Sequence, residues 1–211
     1  MQLTTAEQVA EALMDIGGVG FAVTKPITFK SGILSPMYMD NRRFPSYPKA
    51  WRAVLDGFIR KIKEEGIDFE MLAGIETAGI PHSAGLGVLL GKPSVFIRKA
   101  VKDHGTKKMV EGGEVKGKRV LLIEDLVTTG SSSLHGVAEL RAAGAEVTDC
   151  LVIVSYDLAE AKEAFTQEGV RLHSLTNVPT ILRVARARGV IGEEEVKIAS
   201  EWYQNPREWG K

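Results

Sequence analysis

The sequence predicts an α/β protein in which a parallel sheet is covered by helices. From about residue 69 onwards, short apolar runs typical of buried strands alternate with stretches of helical periodicity. This alternation favours strand–helix–strand units, which build a parallel sheet with helices on both faces. The length of 211 residues suits one such domain with additional elements, and 44% hydrophobic residues supply an ordinary core.

The residues before this alternation have a different pattern. Residues 5–14 are amphipathic with helical spacing, with Thr4 or Thr5 as the expected cap and a glycine pair at the end. Residues 19–24 and 36–41 are expected to be extended, on either side of a polar turn. Residues 48–65 predict a long amphipathic helix, because their apolar side chains fall on one stripe.

The alternating region supplies the sheet and its helices. Strands are predicted at residues 69–75, 94–98, 119–123, 147–155 and 170–175, and helices at residues 80–90, 132–143, 158–168 and 178–187. Ligands of such sheets bind in the crevice beyond the carboxyl ends of the strands. We therefore predict a binding crevice there, with residues 1–45 as a small hood over it, residues 46–190 as the core and residues 191–211 as a helical tail anchored by tryptophans.

Charge and cysteine content exclude several classes of function. Lys and Arg together number 27, as do Asp and Glu, so no overall positive charge recruits nucleic acid. The lone Cys150 cannot form an intramolecular disulfide or a cysteine-based zinc site, and its apolar surroundings fit a buried thiol in a reducing cytoplasm. Because the sequence has neither an apolar N-terminal leader nor an 18-residue apolar stretch, we expect a cytoplasmic protein that does not enter a membrane.

The most informative segment is the run of residues 120–133. Four apolar residues have the pattern of a buried strand, and two adjacent carboxylates, Glu124 and Asp125, follow at its carboxyl end. A turn rich in hydroxyls and glycine then leads into a helical stretch, so backbone N–H groups and the helix dipole form an anion site. The carboxylates can accept hydrogen bonds from vicinal hydroxyls or face a divalent metal. Together these features indicate a phosphorylated ribose; the alternative is an ordinary strand–helix turn with a hydroxyl cap.

Two further segments have features of loops that contact phosphate. Residues 73–81 join a strand to a helix through glycine and alanine, which let backbone N–H groups approach an anion. Glu76 in this loop would repel a pyrophosphate, so we expect it to pack elsewhere or to contact a metal. Residues 98–113 form a long polar loop with excess positive charge, as is typical of a mobile lid. A tight turn and a solvated charged surface are the alternatives for these two segments.

The acidic pair and the following Thr128-Thr129-Gly130 resemble the ribose-phosphate signature of the type I phosphoribosyltransferases. In that family the loop holds the 5′-phosphate of phosphoribosyl pyrophosphate (PRPP), and the acidic pair meets the ribose 2′- and 3′-hydroxyls. Residues 73–81 resemble the family's pyrophosphate loop. Arg98 and Lys99 are adjacent, Lys102 follows three positions after Lys99, and His104 follows two positions after Lys102. This spacing is similar to that of the mobile catalytic loop of orotate phosphoribosyltransferases. Residues 29–32 (Phe-Lys-Ser-Gly) and 35–38 (Ser-Pro-Met-Tyr) resemble a second signature of that family.

The resemblance extends from residue 5 to about residue 175 and carries several expectations. It implies a type I phosphoribosyltransferase fold and the transfer of ribose 5-phosphate from PRPP to orotate, which gives orotidine 5′-monophosphate and pyrophosphate in pyrimidine synthesis. It implies Mg²⁺ that is held mainly by PRPP rather than by protein ligands. It also implies a homodimer in which loop 99–113 reaches the partner's active site, with no nucleic-acid or membrane partner.

The resemblance also assigns roles to individual residues. It implies catalytic roles for Lys99, Lys102, His104 and Asp125. It implies contacts to PRPP for Lys30, Thr77, Ala78, Arg98, Lys99, Lys102, His104, Glu124, Asp125, Leu126, Val127, Thr128, Thr129, Gly130, Ser131 and Ser132. It implies contacts to orotate for Lys30, Tyr38, Met39 and Thr128.

Two positions depart from the family pattern. Ile33 stands where the family often has an arginine, and residues 155–157 (Ser-Tyr-Asp) stand where it often has Asp-Arg with the arginine on orotate. A buried orotate carboxylate still needs a cationic partner or several hydrogen bonds. Arg42 and Arg43 are the nearest candidates, and alternation along an extended strand would let at most one of them reach the base. The alternative is that both arginines lie on the surface or in a dimer interface.

Two other functions are possible on this fold. A PRPP-sensing regulator would need an appended nucleic-acid-binding element or a basic face, and the neutral charge balance offers neither. A phosphoribosyltransferase for a purine or for uracil is the other alternative, and the signature at residues 29–32 and 35–38 argues against it.

Overall fold

A computed structural model describes residues 3–29, 32–99 and 108–210. The helices α1 to α7 of this part of the chain are, in order, Thr5–Asp15, Pro48–Glu64, Gly79–Leu90, Ser131–Ala142, Ala159–Gln167, Val178–Ala187 and Glu193–Gln204. The strands β1 to β10 are Val19–Phe21, Ile27–Thr28, Leu34–Ser35, Met37–Met39, Met71–Ile75, Ser94–Ile97, Val110–Glu111, Val120–Val127, Asp149–Ser155 and Arg171–Asn177. A 3₁₀ helix, Asn41–Ser46, precedes α2.

The chain divides into two compact units. The first unit comprises Met1–Ala53 and Thr176–Lys211, and the second comprises Val54–Leu175. The first therefore joins residues from both ends of the sequence, whereas the second is one continuous stretch. The division of the chain at residues 45 and 190 stays a prediction.

The second unit is built around the main sheet, whose strand order is β10-β9-β8-β5-β6-β7. β5 is parallel to both β6 and β8, and β8 is parallel to β9. Every residue of β5 and β9 is buried, as expected for parallel strands that are covered on both faces. The predicted α/β class with a mostly parallel sheet is confirmed. The short β7, antiparallel to β6, was not predicted because its two residues lie within a polar segment.

The chain reverses its direction of travel across this sheet between β5 and β8. From β5 it continues to β6 on one side, whereas from β8 it continues to β9 on the other. The connections therefore leave these two adjacent strands in opposite directions. Such a switch point opens a crevice at the strand carboxyl ends, which is where open α/β sheets bind ligands.

The first unit packs α1 against α6, with buried apolar side chains between them and ion pairs at the margin. Val9, Leu13 and Ile181 are fully buried. Arg183 forms an ion pair with Glu7. This contact and the N-terminal cap of α1 lower the pKa of Glu7 to about 2. The two helices thus join residues that are far apart in sequence into one unit.

Most predicted elements agree with the structure to within a few residues, and two differ in kind. β8 continues to Val127, four residues beyond the predicted end, because Leu126 and Val127 still pair with Val154 and Ser155 of β9. The acidic pair therefore lies within the strand rather than after it. The extended segment predicted at residues 36–41 contains β4, but the expectation that the strand continues through Arg42 and Arg43 is wrong, because a 3₁₀ helix begins at Asn41. None of the described helices is both long and apolar enough to span a membrane.

Candidate active site

Three parallel strands deliver polar residues to one edge of the main sheet. Ile75 of β5 is level with Ile97 of β6, and Gly74 of β5 is level with Ile123 of β8. The residues that follow these positions are Glu76, Lys99 two residues after the end of β6, and the Glu124–Asp125 pair. The strands thereby gather acidic and cationic groups that are up to about fifty positions apart in sequence.

A glycine allows α3 to begin directly beside this acidic pair. A Cβ atom at Gly79 would lie 2.5 Å from the Ile123 carbonyl oxygen, and one at Gly74 would lie 2.7 Å from the Gly79 carbonyl oxygen. Neither position has room for a side chain. The predicted role of small residues in this loop is therefore explained by close backbone packing, which brings the amino terminus of α3 to the edge of β8. The Glu76–Thr77 peptide bond in the same loop is cis.

Both helices that begin at this edge have N-caps without a side-chain oxygen. The cap of α3 is Ala78 and that of α4 is Gly130, whereas Thr4 and Asn177 cap α1 and α6 with side-chain hydrogen bonds. First-turn N–H groups of α3 and α4 consequently have no cap side chain and suit an anionic ligand. Gly130 has a φ of +86°, and a Cβ atom there would lie 2.8 Å from the Phe165 ring, so only glycine fits this start of α4.

The acidic pair has unusual electrostatics for two adjacent carboxylates. Glu124 is 5% exposed, and its Oε1 accepts a hydrogen bond from the Asp125 backbone N–H at 3.0 Å. Burial raises the pKa of Glu124 well above its usual range, and the neighbouring charge of Asp125 raises it further. The positive charge of Lys99 acts in the opposite direction. This pair therefore favours a ligand that donates hydrogen bonds or carries positive charge.

The hydroxyl turn after β8 presents a mixture of exposed and enclosed groups. Thr128 and Thr129 are half-buried, and the hydroxyl oxygens of Thr129 and Ser131 lie 3.2 Å apart. Ser131 and Ser132 are exposed in the first turn of α4, and Leu126 is half-buried. Val127 differs from these residues, because its side chain is buried in the core and its carbonyl oxygen accepts a hydrogen bond from the Tyr156 N–H at 2.8 Å.

The cationic residues after β6 are held by acidic residues. The backbone N–H of Lys99 donates to Glu76 Oε2 at 2.8 Å, so Glu76 packs against the chain after β6, as expected of a residue that should not face a pyrophosphate. The Arg98 guanidinium donates to Glu111 Oε1 at 3.1 Å, and the Arg98 backbone N–H donates to the Met109 carbonyl oxygen. Glu111 was missed from the sequence, because the position of β7 beside β6 has no local signal. Lys102, His104 and Lys30 lie outside the described residues.

The remaining candidates, Tyr38, Met39 and the two arginines, lie in the first unit. Tyr38 is 41% exposed and Met39 is buried. Arg42 donates from Nε to Asp40 Oδ1 at 2.6 Å and from Nη2 to the Tyr38 hydroxyl at 3.0 Å. Arg43 instead donates to the Tyr47 hydroxyl at 3.2 Å and lies over its ring. The structure thus separates the two arginines by their partners rather than by strand alternation.

Few side chains of the described residues could act as ligands of a metal ion. Within residues 3–29, 32–99 and 108–210, no group of three or more His, Cys, Asp or Glu side chains is arranged to hold a metal ion. Glu124 and Asp125 offer carboxylate oxygens at the crevice, and a ligand would have to supply further oxygens. That arrangement fits Mg²⁺, which usually keeps one or two protein carboxylates together with waters and phosphate oxygens.

Comparisons with known proteins identify the family of this chain. The phosphoribosyl transferase domain family matches residues 49–170, so the chain belongs to the phosphoribosyltransferase family. Over 207 residues it is 38% identical to the orotate phosphoribosyltransferase of Streptococcus thermophilus (strain CNRZ 1066), covering 98% of this chain and 99% of the relative. Because the match extends over nearly the full length of both proteins, the chain belongs to the orotate phosphoribosyltransferases.

Solved structures of orotate phosphoribosyltransferases have the same fold. The crystal structure from Aeropyrum pernix is 31% identical, with a TM-score of 0.75, and the match covers 87% of this chain and 99% of that one. The Mycobacterium tuberculosis H37Rv structure in complex with PRPP is 25% identical, with a TM-score of 0.65, and the match covers 84% and 98% of the two chains.

Proposed function

We propose that this protein transfers the 5-phosphoribosyl group from PRPP to orotate, forming orotidine 5′-monophosphate and pyrophosphate in pyrimidine synthesis. The observation that carries the proposal is the Glu124–Asp125 pair beside two helix N-termini whose caps have no side-chain oxygen, at the switch point of the sheet. The 5′-phosphate binds at residues 128–132, where α4 begins, and the pyrophosphate binds at Thr77 and Ala78, where α3 begins. The acidic pair accepts hydrogen bonds from the ribose 2′- and 3′-hydroxyls.

The reaction breaks the bond between ribose C1′ and the pyrophosphate and forms a bond from C1′ to a ring nitrogen of orotate. Positive charge develops on the ribose and negative charge on the leaving pyrophosphate. Lys99 supplies one cation at the crevice, and Lys102 and His104 are proposed to supply others. The orotate nitrogen ionises easily, so alignment of the two reactants dominates over proton removal, and such alignment can contribute roughly 7–11 kcal/mol. Arg98 supports loop 99–113 through its ion pair with Glu111.

Mg²⁺ is the proposed cofactor, because two adjacent carboxylates and an oxygen-rich substrate match its ligand preferences. Bound together with the substrate, Mg²⁺ would supply positive charge next to the leaving pyrophosphate. Glu124 and Asp125 are the residues that would hold or orient it. A positive charge there also compensates the burial that raises the pKa of Glu124.

The family resemblance assigns orotate contacts to Lys30, Tyr38 and Met39, and a further one to Thr128. Residues 155–157 are Ser-Tyr-Asp and offer no cationic side chain, and Tyr156 is fully buried. Arg42 is the better of the two arginine candidates, because it bonds to the Tyr38 hydroxyl while 61% of its side chain stays exposed. A guanidinium can bind a planar carboxylate through two parallel hydrogen bonds.

We therefore expect Arg42→Ala to raise the KM for orotate by about tenfold or more, the effect of losing a charge-assisted hydrogen bond, while the KM for PRPP changes little. Arg43→Ala is the matched control, because Arg43 is held by Tyr47 and should leave both values nearly unchanged. Steady-state kinetics with each substrate varied in turn measure the difference. Equal orotate KM values for Arg42→Ala and the unaltered protein would rule out Arg42 as the carboxylate partner.

A homodimer is the proposed assembly, with loop 99–113 of each protomer acting at the other's site. Supporting this, α3 carries no charged residue and exposes apolar side chains, of which Val88 is 84% exposed and Leu89 is 38% exposed. An uncharged helix face with exposed large apolar side chains is typical of a surface that another protein covers. The proposed occupant is a second copy of the chain, because the family resemblance implies a homodimer, and twofold symmetry is the commonest arrangement of soluble homo-oligomers.

The rival functions differ in what they need. A PRPP-sensing regulator would bind PRPP without consuming it, and a phosphoribosyltransferase for another base would accept adenine, hypoxanthine or uracil.

A cytoplasmic location is proposed because the single cysteine, Cys150, is fully buried and its burial raises its pKa, as suits an unreactive thiol in a reducing compartment.

One experiment separates these functions. The purified protein is incubated with PRPP, Mg²⁺ and one base at a time from a panel of orotate, uracil, adenine and hypoxanthine, and pyrophosphate release is measured. We expect release with orotate and at least a hundredfold less with the other bases, because a site built for a carboxylate leaves buried polar groups unpaired when the carboxylate is absent. Release with another base, or PRPP binding without turnover, would refute the proposed function.

A further inference from the structure

The β2–β3 hairpin is too small to be stable by itself. Each strand has two residues, with Ile27 opposite Ser35 and Thr28 opposite Leu34. Its connection adds hydrogen bonds from the Phe29 N–H to the Ile33 carbonyl at 2.8 Å and from the Gly32 N–H to the Phe29 carbonyl at 2.9 Å. An isolated two-stranded hairpin is marginally stable at best in water. Other contacts must therefore hold this hairpin, which precedes Tyr38 and Met39 of the proposed orotate-binding residues.

Trp202 of α7 supplies such contacts to both arms of the hairpin. Its side chain is fully buried, and its indole Nε1–H donates a hydrogen bond to the Leu34 carbonyl oxygen at 2.6 Å. Its ring also meets the Phe29 ring edge-on, with 6.3 Å between the centroids. Gly210 comes close to the same arm, because a Cβ atom there would lie 2.9 Å from Leu34 Cδ2. The end of the chain thus packs directly on the hairpin.

α7 is itself held in place, so it can act as a support. It packs against α6, with Ala199 fully buried, and Arg186 of α6 forms an ion pair with Glu193 in the first turn of α7. Tryptophan suits the contact because it combines a large apolar ring with a single N–H donor. A residue without that donor would remove this hydrogen bond from the partly buried Leu34 carbonyl oxygen.

The position of Leu34 is passed on to the proposed base-binding residues by a short rigid link. Ser35 follows Leu34, is fully buried, and donates from its hydroxyl to the Met37 carbonyl oxygen at 2.8 Å while accepting from the Met37 N–H at 3.2 Å. Met37 begins β4, which contains Tyr38 and Met39 and pairs with β1. A displacement of Leu34 would therefore move the start of β4.

We infer that Trp202 is a positioning residue for orotate: by fixing Phe29 and Leu34, the last helix of the chain sets the geometry of the segment that leads to Tyr38 and Met39. The inference rests on the proposed transfer to orotate. The proposed role of Trp202 involves no contact with a reacting atom, because Trp202 acts only through the hairpin. Its removal should weaken orotate binding without slowing the chemical step at saturating substrate.

The test is Trp202→Phe, which keeps an aromatic ring and removes the N–H donor. We expect the KM for orotate to rise roughly five- to tenfold, as for one lost hydrogen bond to a partly buried carbonyl, with kcat and the KM for PRPP within about twofold of the unaltered protein. Trp51→Phe, a tryptophan replacement on α2, is the matched control and should leave all three values unchanged. An unchanged orotate KM in Trp202→Phe, or a fall in kcat alone, would overturn the inference.

A second measurement does not depend on activity. Amide hydrogen exchange at Phe29 and Gly32, without substrate, should be faster in Trp202→Phe than in the unaltered protein and unchanged in Trp51→Phe. If the unaltered protein does not use orotate, the proposed function fails while the exchange rates still decide whether Trp202 holds the hairpin. Phe29→Leu, which removes the partner ring from the other side, should raise the orotate KM as well if Trp202→Phe does not fold. Unchanged exchange in these variants would refute the support of the hairpin by α7.

Discussion

Replacing Asp125 with asparagine should lower kcat by about two to three orders of magnitude, the size expected when a preorganised electrostatic contact to the transition state is lost. Glu124→Gln should have an effect of similar direction. The two carboxylates lie at the carboxyl-end crevice of β8, beside the amino terminus of α3, where ribose hydroxyls and a Mg²⁺–PRPP complex are proposed to bind. Steady-state turnover with saturating PRPP and orotate measures the loss.

Replacing Glu124 should have the opposite effect on stability: Glu124→Gln should lower turnover but raise the free energy of unfolding. Burial and Asp125 raise the pKa of Glu124 in the folded protein well above its ordinary value of 4.5. Above pH 4.5 the unfolded chain therefore releases this proton more readily, and stability falls as the pH rises towards the folded-state pKa. Glu124→Gln removes this cost and keeps an oxygen for the Asp125 N–H. Its free energy of unfolding should therefore exceed that of the unaltered protein at pH 7, and by less at pH 5.

Asp68→Asn is the control for both measurements, because its carboxylate is 80% exposed and lies at the opposite end of the sheet from the crevice. It should change neither kcat nor the midpoint of chemical denaturation. A variant that loses turnover and gains stability identifies a carboxylate that is kept for function at a cost to the fold. Turnover near the unaltered value in Asp125→Asn would remove the acidic pair from the mechanism. A stability difference between Glu124→Gln and the unaltered protein that is the same at pH 5 and at pH 7 would contradict the electrostatic cost of Glu124.

Sequence patterns were sufficient for the main sheet and for the acidic pair, because both depend on local features. The strands of the sheet are continuous apolar runs, which stay recognisable without knowledge of their neighbours. The end of β8 was misplaced for the opposite reason. Glu124 and Asp125 are poor strand formers, and only the neighbouring β9 keeps residues 124–127 extended through its hydrogen bonds.

Contacts between distant residues explain what the sequence did not predict. Glu111 pairs with Arg98 across two strands, and Trp202 reaches Leu34 across 168 positions. Neither contact leaves a periodic or compositional trace. The 3₁₀ helix at Asn41–Ser46 is a related case, because it changes the partners of Arg42 and Arg43 in a stretch that contains an extended signal up to Met39. Predictions that relied on strand alternation in that stretch therefore failed.

The largest expected effect is the recovery of activity when two inactive variants form dimers that share their active sites. Lys102→Ala alone and Asp125→Asn alone should each be nearly inactive, whereas a mixture of the two should recover about one quarter of the unaltered activity, as the twofold symmetry of a dimer requires. Half of the randomly mixed dimers would be hybrids. In each hybrid one of the two sites would combine an intact Asp125 with an intact Lys102 from the other protomer. Activity is measured after subunit exchange has been confirmed by mass spectrometry of differently tagged protomers.

The exposed face of α3 provides the control for this experiment. Val88→Lys puts a charge on the surface proposed to be covered by the second protomer, so introducing it into both inactive variants should prevent recovery and give monomers by sedimentation. Val190→Lys is the matched variant, because Val190 is also an exposed valine, at 51%, but lies outside α3; recovery should persist with it. Absence of recovery from the original pair after proven exchange would mean that Lys102 acts within its own protomer. If recovery persists with Val88→Lys, the active sites are shared but the interface does not include the exposed face of α3.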